Sequence, residues 1–327
     1  MRNLLDLPKA HLHLHLEGAM RPATLADFAA SAGEAAPTTR GFTSFAEFGG
    51  MYRDAVAFLR TPEQLARVTR EVVADAAESG AVWIEAQMNP MFYVPRFGRV
   101  EEVLELVLAE GQAEADRLGI GFGLMVCALR DSPPEAAEDL ARVGVRYVGH
   151  GAVSFGLASD ESLFPPAPFE RAFAIAREGG LVSTPHAGEL LGPDSVRDAV
   201  DLLGARRIQH GVRAVEDPAL VERLAAEGIV LDVCPTSNVE LFVVPEIGQH
   251  PLPALLAAGV KCSINGDDPL LFGPGLLEEY ETARTVLGLD DEQLAGVART
   301  SLEAAAAPAG LLTDQLAAVD AWLAAPA

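Results

Sequence analysis

The chain has 327 residues, half of them hydrophobic, with 24 Lys plus Arg against 47 Asp plus Glu and a formal net charge of −23. That is enough apolar side chain for one large α/β domain or two of ordinary size. So acidic a surface repels nucleic-acid phosphates and anionic lipid, so neither is expected as a partner, and no basic cluster marks a pocket for a polyanionic substrate.

The first predicted strand is HLHLHL at 11–16. Three of the seven histidines, His11, His13 and His15, recur there at strict period two, and Glu17 continues the period. On a regular strand this spacing puts all four on one face, with Leu12, Leu14 and Leu16 on the other. Residues 31–60, which include GFTSFAEFGGMY, read as a small helical insertion over one end of the fold. Phe42, Phe45, Phe48 and Met51 either line an apolar lid there or pack as an amphipathic helix on the body of the fold.

Further strands are predicted at 81–88 (AVWIEAQM), 121–127 (GFGLMVC), 147–152, 181–186 (LVSTPH), 207–210, 229–233 (IVLDV) and 260–264 (VKCSI). Between them, apolar residues recur at helical spacing in segments such as PEQLARVTREVVADAAESG, VEEVLELVLAEGQAEADRLG and DPALVERLAAEG. Several of these stop at Gly, and Pro218 suits the first turn of its helix. Eight strands alternating with helices predict a (β/α)8 barrel of the TIM type, read as a single domain over 1–327. A doubly wound open sheet ranks second, because no Gly-rich phosphate loop follows the first strand.

Cys127, Cys234 and Cys262 each lie in an apolar run, and no CxxC pair occurs. Buried, reduced thiols in a cytoplasmic protein are therefore expected, not disulfides or a thiolate metal site. The N-terminal MRNLLDLPKAH lacks a secretory h-region, and no apolar run reaches spanning length, so a soluble protein is expected.

Catalytic groups of such a barrel gather at the C-terminal ends of its strands. His13 and His15 end the first strand, and His186 closes the fifth, opening HAGE with Glu189. His210 closes the sixth in RIQHG, and Asp267 and Asp268 follow the eighth in SINGDDP. A lone strand-end His is ordinarily structural, and Asp-Asp-Pro is ordinarily turn chemistry. Their coincidence on one barrel end points instead to a metal site. Three imidazoles and one carboxylate suit zinc and leave room for a water, whose pKa such an ion lowers to about 7. Glu189, three residues past a ligand candidate, is placed to move protons.

The phrases HLHLEG (13–18), HAGE (186–189), RIQHG (207–211), CPTSN (234–238) and SINGDDP (263–269) resemble, in order and spacing, the adenosine deaminase family of the amidohydrolase superfamily. The resemblance covers nearly the whole chain. It implies a barrel of the metal-dependent amidohydrolase type with one zinc ion per chain, and hydrolytic removal of the exocyclic amine of a 6-aminopurine. It implies that His13, His15, His186 and Asp267 hold the zinc, and that Glu189 protonates the purine nitrogen beside the reacting carbon. His210 would orient the attacking water and take part in its deprotonation, and Asp268 would accept a hydrogen bond from the imidazole part of the purine. The backbone N–H at Ser159, in GLASDE, matches the position that meets the pyrimidine part.

Nucleoside-specific members usually carry Asp where this chain has Glu17, and that Asp contacts the ribose 5′-hydroxyl. Glu there is similar to members that act on free adenine or other purine derivatives. GLASDE for DLAGDE, Gly266 for Thr or Ser, and EAQMNP for ExRxxP are further departures from the family pattern. Adenosine ranks first as substrate, with adenine, 5′-modified adenosines and 6-aminodeoxyfutalosine as alternatives. His11 stands where the family often carries glutamate and reads as a supporting residue. A two-metal hydrolase is disfavoured, since the fourth-strand segment RYVGHGAVSFG offers no bridging lysine, and His150 within it reads as a core or supporting residue. A non-catalytic barrel is disfavoured because no ligand or proton-transfer residue is missing. A deaminase of extruded nucleobases is disfavoured by the absence of P-C-x-x-C. The sequence leaves the oligomeric state open.

Overall fold

A computed structural model describes residues 1–326. Eight buried strands follow in chain order: β1 (Lys9–His15), β2 (Ala81–Met88), β3 (Gly121–Leu129), β4 (Ala152–Ala158), β5 (Val182–Ala187), β6 (Arg207–His210), β7 (Val230–Val233) and β8 (Lys261–Ile264). Each pairs in parallel with the next. Parallel neighbours need a crossover, and helices supply it.

The helices start and stop where local chemistry predicts. Thr61 and Gln64 form a capping box ahead of the helix Pro62–Glu78, and Asp217 caps Pro218–Glu227 by accepting from the Ala219 and Leu220 N–H groups. Gly119 and Gly228, with φ of 74° and 67°, end their helices in the left-handed conformation. Among the described residues no helix is long and apolar enough to cross a membrane.

The barrel closes between β8 and β1 through one bridge, Leu14 with Asp267. There the Asp267 N–H donates to His13 O at 3.1 Å, and the His15 N–H donates to Asp267 O at 3.0 Å. This is a (β/α)8 barrel, with the helices as its outer layer.

Two sequence expectations are corrected. The fourth strand is not 147–152 but Ala152–Ala158. Gly149 and Gly151 have φ of 80° and 107°, which turns residues 148–151 into a connection, leaving His150 exposed and not in the core. The corrected strand, AVSFGLA, likewise carries no lysine. It also brings Ser159 directly to a strand end.

The second correction concerns the histidine row. The β1–β2 register steps from His11–Ile84 to Leu14–Ala86, three residues against two, so β1 bulges at Leu12–His13. The bulge breaks the period-two face. His11 lies beside Val72 and Ala76 of one outer helix and Leu276 of another, and its Nε2 accepts from the Gly266 N–H at 3.0 Å. His15 stays level with Gln87, within the mouth. The side chain of Asn265 stabilises the bulge, since its Oδ1 accepts from both the Leu12 and His13 N–H groups at 2.7 and 3.1 Å.

Candidate active site

Every candidate residue sits at or just beyond a strand's C-terminal end. His15, Glu17, Ser159, His186, Glu189, His210, Asp267 and Asp268 line one cavity of about 310 Å³. Ser159, His210 and Asp267 have φ of 84°, 65° and 58°, and Phe242 is the one other described non-glycine residue with positive φ. Such a conformation costs an L-residue of order 1–3 kcal/mol and concentrates at functional sites.

Hydrogen bonds decide which nitrogen each imidazole presents. His13 Nδ1 donates to Asp232 O at 3.0 Å, and His186 Nδ1 donates to Leu157 O at 3.1 Å, so each Nε2 is a bare lone pair. His15 Nε2 lies 3.3 Å from both His186 Nε2 and Asp267 Oδ1, and His13 Nε2 lies 3.2 Å from that same oxygen. His13 Nε2 and Asp267 Oδ1 are buried without a hydrogen-bond partner. Lone pairs converging without a donor suit a cation.

His13, His186, His210 and Asp267 offer ligand atoms all within 4.8 Å of one another, and His15 forms a second such group with Asp267 and Asp268. The four residues expected to hold the metal thus converge, with His210 beside them. Burial drives His15 down to about 4 and His210 to about 3, and His186 well below its ordinary value, so all three are neutral near pH 7. Neutral imidazole is the form that binds metal. Burial opposes the charge of Asp267, but its hydrogen-bond and charge contacts with His13, His210 and His15, which act when those rings carry a proton, outweigh it and hold the carboxyl well below the usual range. Burial, then the Asp267 charge, pushes neighbouring Asp268 well up. Imidazoles with one ionised carboxylate fit a borderline divalent cation.

Glu189 brings Oε1 to 3.4 Å from His210 Nε2. Burial first, then Asp267 and Glu161, pushes its carboxyl well above the usual range, which suits an acid that holds a proton at neutral pH. The turn that carries it is held by Glu161, which sequence reasoning missed. Glu161 accepts from the N–H groups of Gly188, Glu189 and Leu191 at 3.1, 2.8 and 2.6 Å, and from Ser195 Oγ at 2.6 Å. Its one sequence signal is its place two residues after Ser159. Arg130 was missed as well; it donates to His186 O at 2.5 Å and to Phe164 O at 3.0 Å, tying β5 to the loop after β4.

At the other side of the mouth, Glu17 is buried. Its carboxylate accepts from Tyr93 Oη at 2.7 Å and from Tyr52 Oη at 2.9 Å. Tyr52 belongs to the helix Phe45–Val56, whose Phe45, Phe48 and Gly49 also line the cavity. Phe48 stacks on Phe272 with ring centroids 5.2 Å apart, which fixes this helix to the loop after β8. Phe42 packs edge-on against both rings and does not line the cavity. Asp268 presses against Gly18, where any Cβ would overlap its carboxylate, so the Gly of HLHLEG is required by the Asp of GDDP.

The sequence matches the family model described as adenosine deaminase over residues 8–322. A Streptomyces coelicolor protein provisionally named adenosine/adenine deaminase is 44% identical, with 99% of this chain and 98% of that one covered. The crystal structure of an adenine deaminase from Arthrobacter aurescens gives a TM-score of 0.91 at 31% identity, covering 97% of this chain and 99% of that one. An amidohydrolase from Burkholderia ambifaria, solved with bound Zn, gives 0.86 at 26% identity, covering 98% and 94%.

Proposed function

The chain belongs to the adenosine deaminase family and is a hydrolase acting on a C–N bond of an adenine derivative; on that premise we propose that its preferred substrate is free adenine. We assign His13, His15, His186 and Asp267 as the holders of one zinc ion, supported by their converging unpartnered atoms and by the Zn in the Burkholderia ambifaria neighbour. Zinc so held lowers the pKa of an attacking water to about 7.

The remaining roles belong to side chains. Glu189 carries the proton that goes to the ring nitrogen next to the reacting carbon, which makes that carbon more electrophilic. His210, 3.4 Å from Glu189, orients the attacking water. Asp268, whose buried Oδ1 has no partner, receives the N–H of the purine's five-membered ring, and the Ser159 N–H meets the six-membered ring. The helix Phe45–Val56 serves as the lid over the site. A cytoplasmic location accords with three buried, free cysteines.

Glu17 carries the preference for adenine. It is one methylene longer than the Asp of nucleoside-specific members, and both its oxygens are already engaged by Tyr52 and Tyr93. A ribose hydroxyl would have to compete with a phenol for it. Adenosine, first on sequence grounds, therefore ranks behind the free base. The test is turnover of adenine, adenosine, a 5′-modified adenosine and 6-aminodeoxyfutalosine, followed by purine absorbance. We expect kcat/KM for adenine to exceed that for adenosine about a hundredfold or more, the scale on which an unpaired buried polar group discriminates. Faster turnover of any nucleoside overturns the free-base reading, and no turnover at all overturns the deaminase. Metal analysis should find one zinc per chain.

A further inference from the structure

His210 differs from His13 and His186 in what its Nδ1 meets, an amide nitrogen and not a carbonyl, and the cause lies outside the site. The chain of contacts begins at a backbone amide. The Leu252 N–H donates to His250 Nδ1 at 3.1 Å, so that nitrogen must be an acceptor. His250 is buried, and burial lowers it to about 4, so it is neutral near pH 7 and carries its single proton on Nε2.

That Nε2–H donates to Asn238 Oδ1 at 3.1 Å. With its oxygen so engaged, the fully buried Asn238 turns its amide nitrogen to His210 Nδ1, at 3.2 Å. Two neighbouring N–H groups, of Val243 and Val244, both bond Asn238 O at 2.9 Å and hold its backbone in place. An amide N–H pointing at His210 Nδ1 makes that nitrogen an acceptor, so the ring's proton is on Nε2. Nε2 faces Glu189 Oε1 at 3.4 Å and Asp267 Oδ2 at 3.8 Å, both acceptors.

We propose that His250 and Asn238 are positioning residues that lock His210 as an Nε2–H donor. The lock has two consequences. It keeps His210 from becoming a further metal ligand, although it shares the 4.8 Å cluster with His13, His186 and Asp267. It also makes His210 a donor toward the oxygen that attacks the purine, not the group that removes its proton, a refinement that rests on the deaminase reading above. His13 and His186 are set the opposite way, each Nδ1–H bound to a carbonyl and each Nε2 bare. His210 is thus told apart from His13 and His186 by what stands behind the ring, whereas His15 has the Gln87 amide nitrogen 3.1 Å from Nδ1 and 3.2 Å from Nε2.

The tautomer can be read directly in zinc-loaded, 15N-histidine-labelled protein by long-range proton–nitrogen correlation, without substrate or turnover. We expect His210 to show a protonated Nε2 and a bare Nδ1. Asn238→Asp replaces the amide donor by an acceptor and should move the proton to Nδ1. That variant should keep its thermal midpoint within a few degrees and its KM within about threefold. Its kcat should fall by about 10^4, the loss a wrong tautomer brings in the serine-protease triad. His250→Ala should give a mixed His210 signal and a smaller loss, about 10- to 100-fold. His250→Gln, which restores a donor to Asn238 Oδ1, should recover most of it. Protonated Nδ1 in the native enzyme overturns the proposal, as does an Asn238→Asp signal unchanged from native. If no substrate of the panel turns over while the native and variant signals behave as expected, the deaminase reading fails and the tautomer lock stands.

Discussion

The barrel interior holds two buried polar clusters that differ in whether the chain itself supplies the cation. Toward the N-terminal half of the strands, Arg207 of β6 pairs with Glu85 of β2 at 2.8 Å and with Asp232 of β7 at 3.0 Å. Glu85 also accepts from the Ala306 N–H and Trp83 Nε1, and Asp232 from Ser263 Oγ. At the C-terminal ends, His13 Nε2 and Asp267 Oδ1 are buried without a hydrogen-bond partner. Carboxylates in the lower cluster meet a cation supplied by the chain, whereas Asp267 Oδ1 in the upper one faces the bare Nε2 of His13 at 3.2 Å. Buried carboxylates neutralised by the chain's own cation are scaffold, whereas lone pairs that converge where the chain supplies no cation mark where one binds.

The contrast is open to direct attack, starting with the upper cluster. His186→Ala should abolish stoichiometric zinc and lower kcat/KM by more than about a hundredfold, beyond the range for outer partners of metal ligands. Metal analysis and initial rates check this, and full zinc occupancy would refute the ligand set. Glu189→Gln should retain zinc yet lose about 10²- to 10⁴-fold in kcat, measured by steady-state kinetics. Arg207→Met should do the reverse. Two carboxylates would lose their cation, destabilising the fold by about 3–5 kcal/mol in urea unfolding, while the folded protein keeps its metal.

Asn265→Ala tests the point where the clusters meet, because Asn265 Nδ2 donates to Ser263 Oγ while its Oδ1 holds the β1 bulge. Zinc affinity should fall about 10- to 100-fold in competition with a chelating dye. Ser301→Ala removes a comparable acceptor from the Ala10 N–H, short of the bulge, and should leave zinc affinity unchanged.

The smallest effect concerns Lys9, buried at the start of β1 with Nζ donating to Leu4 O and Leu7 O. Burial, only partly offset by Asp6, lowers it to about 8 from the ordinary 10.5. Between those two pH values the unfolded chain binds more protons than the folded one, so this contribution to stability rises with pH. Relative to Lys9→Met, the unfolding free energy should climb by about 1 kcal/mol per pH unit from pH 8 to 10.

Much of this was legible in the sequence, for reasons that can be named. Helix limits follow from Thr61, Asp217, Gly119 and Gly228 because caps act over three or four residues. The histidines and the paired Asp267 and Asp268 stood out because such groups at strand ends are few and chemically loaded. The fourth strand was misplaced because an apolar Tyr147–Val148 pair precedes two glycines whose left-handed backbones leave no local trace. Glu161, Arg130, Asn238, His250 and Asn265 escaped notice because they act on backbone atoms, on one another or, for Asn238, on the His210 ring, across 12 to 253 residues of chain.

Spacing and residue chemistry alone determined that this chain forms an alternating barrel and gathers imidazoles and carboxylates at one end, since both follow from local periodicity. Tertiary structure decided the rest. Strict period two put His11 in line with His13 and His15, and only the bulge held by Asn265, from the far end of the chain, turned His11 out of the row. Likewise no local pattern says which nitrogen of an imidazole carries the proton. That depends on whether a carbonyl or an amide lies behind the ring, and folding alone brings it there.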